Sequence, residues 1–277
     1  MRLRTYLERR LQGIIPNTAI LPSGYHVVGH VILLHLNDSV APYAKIIAEE
    51  ILAFEKKAKT IAMKVGPTNG QMRKPQYKVI AGSCNTITTH TEAGVKFQID
   101  PLRLTFSGGN MTERIRMGTI TQSEETVLDM FACVGQFALH IAKRAGANVT
   151  AIELNQDAFH FLKINTELNK LEDDMTIING DCRIASPLKS FNRVVMGYLH
   201  NTISYLPVAV DSLVPQGGII HMHQSNPIHE IDSICNTINT ISLEKAHNAD
   251  IEVREIKQYA PNIGHFVYDI FLCPIDT

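Results

Sequence analysis

The chain has 277 residues, 45% of them hydrophobic and 19% charged, with a formal net charge of −1, which suits a globular protein of one large or two modest domains. Its longest apolar runs, such as residues 27–36, are broken by His and Gly and fall short of the ~20 residues of a membrane helix, and Arg2, Arg4, Arg9 and Arg10 precede no apolar signal-peptide region, so a cytoplasmic protein without a membrane partner is expected. Five dispersed cysteines without a C-x-x-C pair argue against a disulfide framework or a zinc site.

In chain order, Leu3 to Leu11 reads as a short basic amphipathic helix, stopped by Pro16 and Pro22. "YHVVGHVILLHL" reads as a strand, or as a strand with a bulge at Gly29. "PYAKIIAEEILAFEKKAK" places Ala44, Ile47, Ala48, Ile51, Phe54 and Ala58 on one face at helical spacing. "GPTNGQMRKPQYKVIAG" reads as a loop carrying Arg73 and Lys74 that leads into a strand, and "THTEAGVKFQIDPLRLTFS" as alternating segments about a turn at Ala93-Gly94. "GGNMTERIRMG" reads as a link to the second half.

From residue 126 strands and helices alternate. The strands are "TVLDMFA", "NVTAIEL", "MTIINGD", "FNRVVMGYL" and "GGIIHMHQ"; the helices between and after them are "QFALHIAKRAG", "NQDAFHFLKINTELNKL" capped by Asn155, "TISYLPVAVDSLV" and "HEIDSICNTINTISLEKAHNA". Two strands, "IEVREIKQYA" and "HFVYDIFLCP", close the chain, so the last enters antiparallel. This is the grammar of an α/β protein with a doubly wound sheet. The expected domains are an N-terminal helical segment, 1–24, a small α+β domain, 25–118, and a catalytic domain, 119–277.

Charge divides along the same lines. Residues 1–120 carry 16 Lys and Arg against 8 Asp and Glu, and residues 121–277 carry 10 against 19, so the first half suits a polyanion such as nucleic acid. His221 and His223 share one face of a strand, as alternate residues must, and need no metal to explain them.

In a doubly wound sheet the ligand lies beyond the carboxyl ends of the strands. The first strand ends "DMFACVGQ", a small-residue loop that lets backbone amides approach a ligand, yet with too few glycines for a pyrophosphate. Glu153, which ends the second strand, lies 24 residues after Asp129, close to the ~20 of a ribose-binding carboxylate. Asp181 ends the third, where it can accept from an exocyclic amine. Three strand-end acids in register point to an adenosyl cofactor.

These blocks, Asp129 to Gln136, Glu153-Leu154-Asn155 and Asn179-Gly180-Asp181, resemble class I S-adenosylmethionine-dependent transferases with a Rossmann-like seven-stranded sheet. "THTEAGVKFQIDPLRLTFSGGNMTERIRMG" with "VLDMFACVGQFALHIAKRAG" is similar, more narrowly, to the family uniting tRNA guanosine-37 N1-methyltransferases with wybutosine-synthesis aminocarboxypropyltransferases. Cys133 departs from the Gly usual there. The resemblance implies that Ser107 and Arg114 line the methionine end of S-adenosylmethionine, that Phe131 and Ala132 belong to its loop, that Glu153 with Leu154 and Asn155 holds the ribose, and that Asp181 and Cys182 meet the adenine. No metal is implied.

N-methylation of a base commonly uses an Asn or Asp with prolines after the fourth strand. Here the segment is Met196-Gly197-Tyr198-Leu199-His200, without a side-chain amide or carboxylate. It resembles the aminocarboxypropyl branch, which implies attack by carbon 7 of 4-demethylwyosine in tRNA(Phe), next to the anticodon, on the cofactor's γ-carbon, with methylthioadenosine leaving. Arg114, Tyr198 and His200 are the residues expected to act on the reactants. A methyltransferase acting on that guanosine or a wyosine intermediate, and a non-catalytic tRNA-binding protein, are the alternative readings.

Overall fold

The computed structural model describes residues 1–70 and 72–275. Its contacts divide the chain into two units, 1–108 and 109–277. Gln71, in the loop read ahead of the third strand segment, lies outside the described residues.

The first unit opens with helix α1, Leu3–Arg10. The strand expected across Gly29 is a hairpin: β1, His26–Val28, and β2, Val31–Leu34, pair antiparallel through a turn at Gly29-His30 in which Gly29 has φ +56°. A side chain at Gly29 would collide with Thr88, so glycine serves a turn there and not a bulge. A 3₁₀ turn leads into α2, Ala44–Phe54, which crosses to β3, Thr60–Asn69, parallel to β2. β3 pairs antiparallel with β4, Lys74–Gly82, and β5, Thr88–Glu92, forms a separate hairpin with β6, Val95–Ile99, through Ala93-Gly94.

The helix expected to continue to Ala58 ends at Phe54, and the "GPTN" read as loop belongs to β3. Beyond Met63 no residue of β2 pairs with β3, so Pro67 is accommodated on an open edge, where a missing N–H costs nothing. Leu3, Leu7, Leu11 and Ile15 form one core with Ile32, Leu34, Ile47, Ile51 and Ile61, which ties the N-terminal segment to the sheet. Each such buried side chain contributes roughly 1.5–3 kcal/mol.

The second unit begins with α3, Met111–Ile120, where a link was expected. It belongs here because it packs on α4, Ala138–Ala145, so the division falls near Gly108, ahead of the boundary read at 118. Strands β7, Thr126–Asp129, β8, Asn148–Glu153, and β9, Met175–Asn179, alternate with α4 and α5, Gln156–Asn169. The short helix α6, Cys182–Ala185, leads to β10, Arg193–Leu199. Then come α7, Leu206–Ser212, β11, Gly218–Pro227, α8, Ile231–Glu244, β12, His247–Ala260, and β13, Ile263–Pro274. The last helix is shorter than read, since His247 to Ala249 already pair in β12.

The seven strands lie in the order β12-β13-β11-β10-β7-β8-β9, with β13 antiparallel to both neighbours. The chain winds outward from β7 through β9 and returns to β10 on the other side. The switch point, and the crevice where ligands bind, therefore lie at the carboxyl ends of β7 and β10.

A Cβ on Gly118 would lie 2.5 Å from the carbonyl oxygen of His140, so bare backbone is what lets α3 and α4 touch. Gly118→Ala is expected to destabilise the protein by about 1–3 kcal/mol, read as a lower urea midpoint at unchanged slope.

Candidate functional site

Loop 130–136, between β7 and α4, is held from both ends by carboxylates. Asp129 is fully buried and accepts from the backbone N–H of Phe131 and of Ala138, each at 3.2 Å, fixing the start and end of the loop. Burial, with a smaller push from Glu153, raises its carboxyl to about 7. Glu153 accepts from Cys133 N–H at 2.7 Å and Asn155 N–H at 2.6 Å, one oxygen each. A carboxylate has about four lone-pair sites, so acceptors remain for a hydroxyl pair. Burial raises its affinity for a proton, and the backbone N–H donors of Asn155, Cys133 and Leu154 oppose that.

Cys133 reaches Glu153 because its φ is +52°, in the left-handed region, and Gly135 follows at +92°. A side chain at Gly135 would press on Leu139 at 2.7 Å. Glycine at 135 is thus what lets the loop close against α4 and α5. Ala132 donates to the carbonyl of Ile152 at 2.9 Å and closes the loop on β8.

Of the other expected residues, Asn155 caps α5 through Asp157 N–H and Leu154 is exposed. Asp181 caps α6 and forms a bidentate pair with Arg183, which holds its carboxyl below the usual range. Cys182 is buried in the core, its thiol pushed up to about 12, so its side chain is committed to packing. Ser107 ends the first unit, half-buried.

Arg114 is 1% exposed and donates to Gln136 Oε1 at 3.1 Å, which brings it to the loop. Ion pairs of α3 also run through its neighbours. Glu113 binds Arg116 and Arg254, and both of these bind Asp269.

The end of β10 is bulged. Met196 pairs with Met222 and Leu199 with Gln224, so Gly197 and Tyr198 together stand opposite one residue, His223. Tyr198 stacks on Phe131, with ring centroids 5.2 Å apart and planes 17° apart, and Tyr205 packs edge-on against both. A Cβ on Gly197 would meet the Phe137 ring at 3.0 Å. Leu199 has φ +77° and Asn201 +50°, two strained residues around the exposed His200.

The sequence reading missed three features: Gln136 as the partner of Arg114, the aromatic cluster of Phe131 and Tyr205 around Tyr198, and the buried pairing of His223 with His265. His221 is engaged on both nitrogens, accepting from Arg193 and therefore donating from Nδ1 to Asp269. His223 bonds His265 at 3.0 Å, and its Nε2 and the Nδ1 of His265 have no partner among the described residues. Each such nitrogen costs about 1–3 kcal/mol. The H-x-H spacing was the one available signal for His223.

Two measurements probe the loop. Cys133→Gly relieves left-handed strain and is expected to leave stability unchanged or raise it by up to about 1 kcal/mol, whereas Cys133→Val lowers it by more than that, both read by urea unfolding. The folded chain holds the Asp129 proton up to about pH 7, while the unfolded chain releases it near the ordinary aspartate value of 3.8. The wild type therefore loses stability relative to Asp129→Asn as pH rises through that window, and a stability difference flat across it contradicts the assignment.

Residues 88–253 match the model of the TRM5/TYW2 methyltransferase domain, and residues 7–86 that of the TYW2 N-terminal domain. The chain is 35% identical over 274 residues to a tRNA(Phe) (4-demethylwyosine(37)-C(7)) aminocarboxypropyltransferase of Pyrococcus horikoshii, covering 97% of this chain and 95% of that one. It is 31% identical to a tRNA (guanine(37)-N(1))-methyltransferase, Trm5b, of Pyrococcus abyssi, over 90% and 74% of the two chains. The crystal structure of P. horikoshii TYW2 in complex with MeSAdo superposes with a TM-score of 0.85 at 32% identity, over 98% of this chain and 99% of that one. With its loop, strand-end acids and sheet order in place, the chain belongs to the TRM5/TYW2 family.

Proposed function

We propose that this protein transfers the 3-amino-3-carboxypropyl group of S-adenosylmethionine to carbon 7 of 4-demethylwyosine at position 37 of tRNA(Phe), in wybutosine-derivative biosynthesis, with release of methylthioadenosine. The observation that carries this reading is the end of β10. Gly197, Tyr198, Leu199 and His200 offer no amide or carboxylate to hold a base amine and turn its lone pair toward a methyl group. A carbon nucleophile needs no such holder, because its π electrons already stand perpendicular to the ring; it needs room and orientation. The likeness to the P. horikoshii aminocarboxypropyltransferase along nearly the whole chain supports the same reading.

The sulfonium makes each of its neighbouring carbons open to attack, so the residues of this chain select which one is presented. Glu153 takes the ribose hydroxyls with its remaining lone pairs, while Phe131, Ala132, Leu154 and Asn155 frame the nucleoside. Asp181 accepts from the adenine amine beside its pairing with Arg183, and Cys182 packs below it. Arg114, oriented by Gln136, holds the carboxylate of the transferred group through its guanidinium fork. Tyr198, with one face already on Phe131, offers the other to the acceptor base, and His200 borders that pocket. The excess of Lys and Arg in residues 1–120 suits contact with the tRNA backbone. A tRNA substrate suits a cytoplasmic protein; no helix among the described residues is long and apolar enough to cross a membrane.

Incubation of substrate tRNA with cofactor labelled separately in the methyl and carboxypropyl carbons is expected to put only the carboxypropyl label into tRNA and to release methylthioadenosine. Methyl label in the tRNA would overturn the reading. Glu153→Gln is expected to weaken cofactor binding by about 1.5–3 kcal/mol in calorimetry, the range of a hydrogen bond to a charged group.

A further inference from the structure

The β12–β13 hairpin overshoots β10, the strand whose end carries Tyr198. Leu199 of β10 pairs with Gln224, and β11 runs on for three more residues to Pro227, which pairs with Ile263. At about 3.3 Å per residue, the turn of the hairpin at Pro261-Asn262 stands roughly 10 Å beyond the end of β10. β13 neighbours β11 and β11 neighbours β10, so the hairpin walls one flank of the crevice. Its turn is fastened, because the N–H of Ile228, just after β11, donates to the carbonyl of Asn262 at 2.9 Å.

An aromatic ring is mounted on this wall. Tyr259 of β12 is 50% exposed, and no other Phe or Tyr among the described residues is exposed. The ammonium of Lys257 lies 5.0 Å from the centre of its ring and donates to Asn110 Oδ1 at 3.2 Å, ahead of α3. A cation beside an aromatic face is favourable in itself.

A row of packed rings ties Tyr259 to the bulge in β10. Gly197 lies against Phe137, and Phe137 packs on His223 with ring centroids 5.0 Å apart. His223 bonds His265 at 3.0 Å, and His265 stacks on Tyr259 with centroids 6.2 Å apart and planes 13° apart. Both imidazoles are buried, and burial holds His265 down at about 4 and His223 well below its ordinary range. Neutral and flat, they serve as packing, a strut that fixes the tyrosine at a set distance from the strand end carrying Tyr198.

An aromatic ring held rigid with an ammonium beside it matches the needs of a single-stranded nucleic acid, whose bases stack on rings and whose phosphates answer cations. A ring already fixed in place loses little freedom when a base settles on it. β12 lies three strand spacings from β10, roughly 14 Å across the sheet. Two bases splayed to opposite sides of one phosphodiester link span a gap of this order. The partner of Tyr259 is therefore a near neighbour of the acceptor in the same loop and not a distant part of the RNA.

Resting on the transfer reading above, we infer that Tyr259 stacks on the base of a nucleotide flanking position 37, and so holds the anticodon loop splayed while the acceptor base lies at Tyr198. It touches no reacting atom and acts as a positioning residue.

The test measures binding and turnover of substrate tRNA by the full-length protein. Tyr259→Leu is expected to raise the Kd for tRNA roughly 5- to 150-fold, the range of one stacked base, while Tyr259→Phe keeps the wild-type value. Tyr259→Thr takes the place of the Leu variant should that one not fold. The rate at saturating tRNA and the binding of methylthioadenosine, by calorimetry, stay at wild-type values. With the wild type, tRNA lacking the base on one side of position 37 binds more weakly by a similar factor, and in Tyr259→Leu the same deletion has no further effect. Wild-type affinity in the Leu variant, a Phe variant as weak as Leu, or a Leu penalty undiminished on tRNAs lacking either flanking base overturns the stacking. A fall in saturated rate or in methylthioadenosine binding overturns it too, because the ring then supports the fold of the site. A wild type that puts methyl label into tRNA overturns the transfer reading instead, an outcome visible before Tyr259 is changed.

Discussion

One carboxylate holds the carboxyl edge of the second unit together. Glu153 ends β8 and takes a backbone N–H from each of two directions, from Cys133 in the loop after β7 and from Asn155 at the start of α5. The first of these bonds requires Cys133 to adopt a positive φ, so the loop's shape and the acid's position determine each other. Its partner Asp129 clamps the same loop at both ends from inside the sheet. A fully buried acid, Asp129, and a partly buried one, Glu153, thus shape this loop through backbone amides.

The polar layer beside this edge contains two arrangements. In the first, Glu125, Arg193, His221, Asp269, Arg116, Arg254 and Glu113 form a chain in which each charge meets an opposite partner or an imidazole. Breaking a buried pair is costly, so this chain fixes α3 against the sheet and with it the position of Arg114. In the second, His223 and His265 satisfy only each other. Histidines two positions apart on one strand thus have different surroundings, one locked in a single tautomer by Arg193 and Asp269, the other bonded to a second imidazole.

The bulge in β10 connects these parts to the loop after β7. By placing Gly197 and Tyr198 opposite His223, it brings Tyr198 onto Phe131 of the loop after β7 and leaves the glycine against Phe137. Strain at Leu199 and Asn201 is confined to the same few residues, as is usual where a strand end is shaped for chemistry.

What the sequence by itself determined is what depends on near neighbours. The strand and helix order of the second unit, the Asn155 cap, the left-handed end of α4 at Gly146, and Asp129, Glu153 and Asp181 at strand ends all follow from periodicity and capping within a few residues. Helix α3 escaped that reading because its buried face holds Glu113 and Arg114, so no apolar stripe announces it. β3 escaped because Gly66 and Pro67 resemble a turn, and only the open edge beyond Met63 lets them stay in a strand. The pairing of Arg114 with Gln136, of Phe131 with Tyr198 and of His223 with His265 was decided by tertiary structure alone. These contacts join residues separated by 22, 67 and 42 positions, and their geometry is set by sheet order and by a two-for-one register that no local pattern encodes.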